Sequence, residues 1–235
     1  MSAGSAISVL IPALNEEGNV SGTVDRVVNS LRGRVADYEI ILVNDGSSDG
    51  TGDEIDALAE CSTRIRAFHN TRSKGLGAVY SCALKTAGKD YFVYIPGDNT
   101  WPEGSLGLLF AHFCKADVVT IYADNPEART IGRRIASKTY TRLVNLLFGY
   151  RMPYYNGLTI YPTCFLRKIE IGTSGFGFQA EVLLKALDEG LSCQAIPAAI
   201  DVRAQGRSKA VSFKNIVSVQ ATLLRLFWSL RVRKK

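Results

Sequence analysis

Apolar residues fall along this chain in short runs separated by helix-length amphipathic stretches. Residues 7–11 (ISVLI) and 39–43 (EIILV) are β-branched runs, each followed by turn-forming residues, and 20–31 between them reads as a helix. That order is a β-α-β unit, which makes two strands parallel and places any ligand site at their carboxyl ends. The pattern continues with a helix over about 51–60, a strand near 64–68, a helix over 75–87 and the strand YFVYI at 91–95. Beyond Pro102 it predicts a helix at about 103–114, a strand at 117–122, a basic helix at about 129–148, a strand at 158–161, a helix at 179–189 and a strand at 195–202. The fold class is α/β: a single domain with a Rossmann-like, mostly parallel central sheet flanked by helices. In the tail, Ile216, Val219, Leu223, Leu226, Phe227 and Leu230 share one helical stripe, which predicts a C-terminal amphipathic helix.

Composition narrows this picture. With 235 residues, 46% of them hydrophobic, the chain can bury a core without disulfides or structural metals. Its five cysteines, at 61, 82, 114, 164 and 193, are scattered without a C-x-x-C pair, and read as buried thiols in a reducing compartment. His69 and His112 stand apart from any ligand spacing and read as structural. The N-terminal run ISVLIPAL is too short for a signal peptide, and the apolar stretch 216–230 is interrupted by Gln220, Arg225 and Ser229, so a cytosolic start without a membrane span is expected.

Charge is unevenly divided. The net +6 combines a half, 1–127, with 10 basic and 17 acidic residues and a half, 128–235, with 18 basic and 5 acidic. A basic half calls for an anionic partner, and nucleic acid, a membrane surface and a phosphorylated substrate all satisfy it.

Three loops at the carboxyl ends of predicted strands carry the candidate chemistry. They are Pro12-Ala13-Leu14-Asn15-Glu16-Glu17, Asn44-Asp45-Gly46-Ser47-Ser48-Asp49-Gly50 and Pro96-Gly97-Asp98-Asn99-Thr100-Trp101-Pro102-Glu103. Carboxylates there can accept base N–H or ribose hydroxyl groups, and glycines let the backbone approach a ligand closely. An acid leaving a strand end also suits a divalent cation that bridges a diphosphate. The second loop is equally a polar turn with an Asp helix cap.

The order IPALNEE, LVNDGSSDGT, N-x-RSKGLGAVYSCAL and then a strand followed by G-D-x-x-x-P-E resembles family 2 glycosyltransferases of the GT-A fold. The later part is similar to their polyprenyl-phosphate branch, typified by dolichyl-phosphate mannose synthase. It carries R-x-x-x-S (Arg133, Ser137), N-G at 156–157, GFGFQAEVLLKALDEG and R-x-x-G-x-SK (Arg203, Gly206, Ser208, Lys209). The resemblance covers roughly residues 7–214. It implies a GT-A domain over 1–212, with a donor half to about 127 and an acceptor half beyond, followed by an interfacial basic helix over 213–235.

The resemblance also assigns residues. Pro12, Ala13, Leu14, Glu16, Asn44 and Asp45 would hold the nucleoside, with Asp45 at the base edge. Asp98 matches the metal-binding Asp of the family's D-x-D motif, and Thr100 falls where a second ligand stands. Arg133, Ser137, Arg203, Ser208 and Lys209 would surround the acceptor phosphate and donor diphosphate, with Asp98, Arg133 and Arg203 catalytic. Pro96 replaces the first Asp of D-x-D, and Pro153 occupies a place where many relatives have Asp. Asp98 would then hold Mg2+ or Mn2+ with waters and phosphate oxygens, or cationic side chains would take over part of the metal's role.

The expected reaction is inverting sugar transfer from a nucleotide-diphosphate sugar to a polyprenyl phosphate at the cytosolic face of a membrane. A phosphate nucleophile is already anionic and needs no general base, unlike a hydroxyl. Residues 202–235 hold nine basic and no acidic side chains, so the tail suits peripheral contact with anionic lipid. It also suits packing on the core, on a membrane-protein partner or on a second copy. A saccharide or small-molecule hydroxyl acceptor would require a base, for which Glu181 is a candidate, although a helix-capping or exposed role fits that residue equally. Loss of the first D-x-D acid also suits a nucleotide-sugar-binding subunit without activity. Tyr154 and Tyr155 suit a sugar or prenyl pocket, or packing on the core. Nucleic acid is not an expected partner, because the basic residues match phosphate sites and the tail lacks stacking residues.

Overall fold

The computed structural model describes residues 5–125, 131–175, 177–201, 223, 225–228 and 230. The elements are β1 (Ala6–Ala13), α1 (Val20–Leu31), β2 (Asp37–Asn44), α2 (Thr51–Glu60), β3 (Ile65–His69), α3 (Leu76–Thr86), β4 (Tyr91–Tyr94), α4 (Glu103–Ala111), β5 (Val118–Ala123), α5 (Ile131–Phe148), β6 (Leu158–Pro162), the one-turn α6 (Thr163–Leu166), α7 (Phe178–Asp188) and β7 (Cys193–Ala198). Every predicted strand and helix up to residue 201 is present. The last strand begins two residues before its predicted range and ends four residues before that range does, and α6 was not expected.

The seven strands form one sheet in the order β3-β2-β1-β4-β6-β5-β7. All neighbours run parallel except β6, which is antiparallel to both β4 and β5. Central strands of a sheet covered on both faces are apolar on both sides. Accordingly Val9 and Ile11 point into one core layer and Leu10 into the other, and in β2 Ile40 and Leu42 oppose Ile41 and Val43. One layer packs the sheet against α1, α2 and α4; the other packs it against α3, α5 and α7.

β6 needs a close approach to enter between β4 and β5. A Cβ at Gly157 would sit 2.3 Å from the Ile121 carbonyl oxygen and 2.7 Å from the Thr120 hydroxyl. The glycine of the N-G pair is therefore a packing requirement at the mouth of β6. Because β6 reverses direction, the C-terminal ends of β1, β2, β4 and β5 share one edge of the sheet.

One expectation is corrected here, and part of the tail takes one of its open alternatives. None of the five free cysteines is buried: Cys61, Cys82 and Cys164 are exposed, and Cys114 and Cys193 are half-buried. They occupy outward positions and helix ends, where the preference of thiols for the interior does not operate. Of the tail's apolar stripe, Leu223 (4% exposed) and Leu226 (1%) belong to the core and Phe227 and Leu230 pack against it, as in the packing alternative. Ile216 and Val219 lie outside the described residues.

Candidate active site

The three acidic loops meet at the shared strand edge and are tied together by backbone bonds. Asp45 N donates to the Ala13 carbonyl (2.8 Å), and Gly97 N donates to the Pro12 carbonyl (3.1 Å). A Cβ on Gly97 would come within 3.0 Å of that carbonyl oxygen, which explains the glycine before Asp98. Ser48 N donates to Asn15 Oδ1 (2.8 Å), Gly50 N to Glu17 Oε2 (2.9 Å), and Glu16 N to the Thr51 hydroxyl (2.9 Å). From α2, Glu54 accepts the Gly18 and Ser21 amides (both 2.8 Å), so the α1 N-terminus is capped by a neighbouring helix.

Asp45, 5% exposed, accepts four hydrogen bonds. Asn70 Nδ2 (2.8 Å) and Lys74 N (3.0 Å) reach one oxygen; the Ser73 hydroxyl (2.8 Å) and Gly75 N (3.2 Å) reach the other. A carboxylate has about four acceptor positions, and all are used. Asp45 thus holds the 70–75 loop at the site. Asn44 closes its own turn by accepting Ser47 N (2.9 Å), and its Nδ2 faces His69 Nδ1 (3.3 Å). His69 Nε2 in turn lies 2.9 Å from Asp56. Both ring nitrogens of His69 thus face partners within the domain. Ala13 is buried in the core, while Pro12, Leu14 and Glu16 are half-buried at the rim.

Asp98 projects from the end of β4. The Thr100 hydroxyl donates to its Oδ1 at 2.8 Å, so the two expected metal ligands are brought together. Burial pushes the Tyr94 hydroxyl well above its usual range, and the negative charges of Asp98 and Glu16 add to the effect, which places both carboxylates near one ring. Arg26 of α1 was not singled out from the sequence. Its guanidinium donates to the Asn99 (2.9 Å) and Trp101 (3.3 Å) carbonyls and pairs with Asp201 (2.9 Å), cradling the turn that carries Asp98. A lone Arg on an amphipathic helix gives no sequence signal for such a role.

On the acceptor side, a cleft of about 330 Å3 opens between the end of β5 and α5. Arg134, Ser137, Lys138 and Thr141 line one wall, Pro153 and Tyr154 another, and Asp124 sits at its β5 end. The Thr141 hydroxyl is buried without a hydrogen-bond partner among the described residues. Of the expected acceptor residues, Ser137 lines this cleft. The Arg133 side chain, Arg203, Gly206, Ser208 and Lys209 lie outside the described residues. Sequence reasoning missed Arg134, Lys138 and Asp124, because only the tertiary fold shows which side of α5 faces β5. Tyr155 is buried and donates to Asn145 Oδ1 (2.8 Å), so it packs rather than lining the cleft.

Glu181 is neither exposed nor poised as a base. It is 1% exposed, and its oxygens accept Lys185 Nζ (2.8 Å), Arg225 Nη2 (3.1 Å) and Gly172 N (3.1 Å). Burial alone would raise its pKa, but the hydrogen bonds from Lys185, Thr173 and Gly172 outweigh it and hold the carboxyl below its ordinary 4.5. Gly172 admits the Arg225 guanidinium, which a Cβ would meet at 2.3 Å. Glu181 thus latches the C-terminal helix to α7. Its stabilising contribution is complete above pH 4.5, where the unfolded chain is also ionised, and is lost as pH falls below that value through the lower folded pKa. Glu181→Gln is expected to cost about 2–3 kcal/mol at neutral pH, less than a fully buried broken pair because Arg225 is half exposed. The difference from wild type should shrink in acid, as read by thermal melts from neutral pH down to below 4.5.

Among the described residues, no group of three or more His, Cys, Asp or Glu could hold a metal, and no helix is long and apolar enough to cross a membrane.

Residues 8–171 match the family model described as glycosyl transferase family 2. The chain belongs to this family, and its fold and sequence are those of a nucleotide-sugar-dependent glycosyltransferase. It is 26% identical to glycosyltransferase AglD of Haloferax volcanii over 99% of its own length, which spans 39% of that relative. It is 29% identical to polyprenol monophosphomannose synthase of Mycolicibacterium smegmatis, over 86% of this chain and 79% of the relative. Among solved structures, glucosyl-3-phosphoglycerate synthase of Mycobacterium tuberculosis with Mn2+, uridine-diphosphate-glucose and phosphoglyceric acid superposes with a TM-score of 0.71 at 21% identity. That likeness covers 97% of this chain and 80% of the other, and shows the shared GT-A-like fold.

Proposed function

We propose that this protein transfers a sugar, with inversion, from a nucleotide-diphosphate sugar to a polyprenyl phosphate of the dolichyl or undecaprenyl type at the cytosolic membrane face. The observation that carries this reading is the cleft whose wall presents Arg134, Ser137 and Lys138 at the same sheet edge as Asp98. Strands β4 and β5 are separated only by β6, so their axes run about 10 Å apart and the loops that follow them open at the same edge of the sheet. The similarity to a polyprenol monophosphomannose synthase supports the same acceptor class.

In this reading the 12–17 and 44–50 loops and the loop pinned by Asp45 form the nucleoside cradle. Asp98, with the Thr100 hydroxyl beside it, offers an all-oxygen donor set with one carboxylate, which fits Mg2+ or Mn2+ held largely by waters and diphosphate oxygens. When bound, such a cation supplies positive charge against the leaving diphosphate. Arg133, Arg203 and Lys209 would add to that charge, and Ser137 and Ser208 would donate to the acceptor phosphate. The phosphate oxygen attacks the anomeric carbon on the face opposite the departing nucleoside diphosphate. No proton need be removed, which accords with Glu181 being fully bonded. Residues 1–212 would act as the GT-A domain, with donor and acceptor halves meeting near 127. The basic side chains of 213–235 would face anionic headgroups.

A second reading, a hydroxyl acceptor, is favoured by the Asp124 carboxylate in the cleft, which would serve as general base. Purified protein assayed with polyprenyl phosphate, polyprenol and soluble saccharides, against a panel of nucleotide sugars with and without Mg2+ or Mn2+, separates the two. Product from the lipid phosphate alone is expected. Product only from hydroxyl acceptors, lost in Asp124→Asn, would overturn the first reading in favour of the second.

A further inference from the structure

We propose that the outward face of α5 is the surface on which this protein seats itself on an anionic lipid bilayer. The inward face of α5 is ordinary: Val144, Phe148 and Thr141 are buried against the domain. Its outward face is not. Ile131 is 72% exposed, Ile135 61%, Leu143 44% and Leu146 82%, where a surface helix of a globular domain normally carries polar residues. At about 100° per residue, Ile131, Ile135, Arg142 and Leu146 fall within roughly 60° of one another, with Leu143 about 60° further round. An exposed cluster of large aliphatic side chains marks an interaction surface.

Charge selects the occupant. Residues 128–169 contain eight Lys and Arg and no Asp or Glu, and the exposed Lys138 and Arg142 border the aliphatic stripe. A second copy docked through this face would oppose like charges. Nucleic acid would find branched aliphatics where it needs stacking or hydrogen-bonding groups. An anionic bilayer satisfies both features, taking the aliphatics into the headgroup boundary and the cations against the headgroups. The C-terminal helix adds to the same region. Its Phe227 ring lies 6.1 Å from Phe148 of α5, and the adjacent Trp228, 62% exposed, is a residue type that favours the bilayer interface. Leu223, Leu226, Phe227 and Leu230 of the tail are packed in or against the core, so α5 supplies exposed aliphatic contact that these four residues do not.

The test is flotation of the full chain with phosphatidylcholine vesicles, with and without phosphatidylglycerol and without any polyprenyl phosphate. Binding at least about tenfold tighter to the anionic vesicles is expected. The double variant Ile135→Asp, Leu146→Asp should lose about 30-fold or more, and Arg142→Glu about tenfold. All three side chains are solvent-exposed, so melting temperatures should stay near wild type. The inference is overturned if the wild-type chain binds neither vesicle, if it binds both equally, or if the variants bind as the wild type does. It is also overturned if the face proves to mediate a dimer that the double variant abolishes. Because no acceptor is present, either result leaves the sugar-transfer reading to its own assay.

Discussion

Replacing Asp98 with Asn should lower sugar transfer by about a thousandfold while the protein melts within a few degrees of wild type. The backbone around Asp98 is held independently of its carboxylate. Gly97 N donates to Pro12, Asn99 N donates to the Thr23 hydroxyl (3.0 Å), and Arg26 grips the Asn99 and Trp101 carbonyls. Asn retains an acceptor for Thr100, so the turn survives and only the charge is lost. In the proposed correspondence Asp98 would be the one carboxylate left of D-x-D, with Pro96 in the place of the other. Its removal leaves any bound cation without a protein anion, and the developing diphosphate charge with less compensation. The check is kcat with nucleotide sugar and polyprenyl phosphate beside a thermal melt. Activity within tenfold of wild type would remove Asp98 from the reaction.

Asp45→Asn should cost both stability and donor affinity. Two oxygens now accept four hydrogen bonds, two of them from backbone amides on opposite sides. Whichever way an Asn side chain is turned, its NH2 faces either Lys74 N–H or Gly75 N–H, leaving a buried donor without an acceptor. The expected loss is about 2–3 kcal/mol, or a melting temperature lower by roughly 5–10 °C for a chain of this size. Freed from Asp45, the 70–75 loop should exchange its amides faster and the KM for the nucleotide sugar should rise. Hydrogen exchange at Lys74 and Gly75 reads the loop directly. Unchanged protection there would show that other contacts hold it.

Much of the site is local chemistry and could be read along the chain. Loops after apolar runs in a β-α-β pattern must lie at one strand edge, so Asn44-Asp45-Gly46 and Gly97-Asp98 were recognisable before any coordinates. What those carboxylates do there was less legible. Asp45 and Glu181 look alike as acids in polar motifs, yet each is spent on donors 25 to 44 positions away, such as Asn70 and Arg225. Partners at that separation have no periodicity to betray them. Arg26, Arg134, Lys138 and Asp124 were passed over for the same reason.

The tail and α5 show the division most plainly. By itself the sequence determined the α/β class, the order of the elements and the meeting of three acidic loops at one sheet edge, because these follow from backbone periodicity and turn stereochemistry. It also established that the second half of the chain is basic. Only the tertiary structure decided that β6 runs antiparallel between β4 and β5, that Leu223 and Leu226 are core residues, and that Ile135 and Leu146 are not. A helical stripe reports that one face is apolar but not what that face meets. The choice between core and surface belongs to the sum of burial across the whole domain, which no single segment contains.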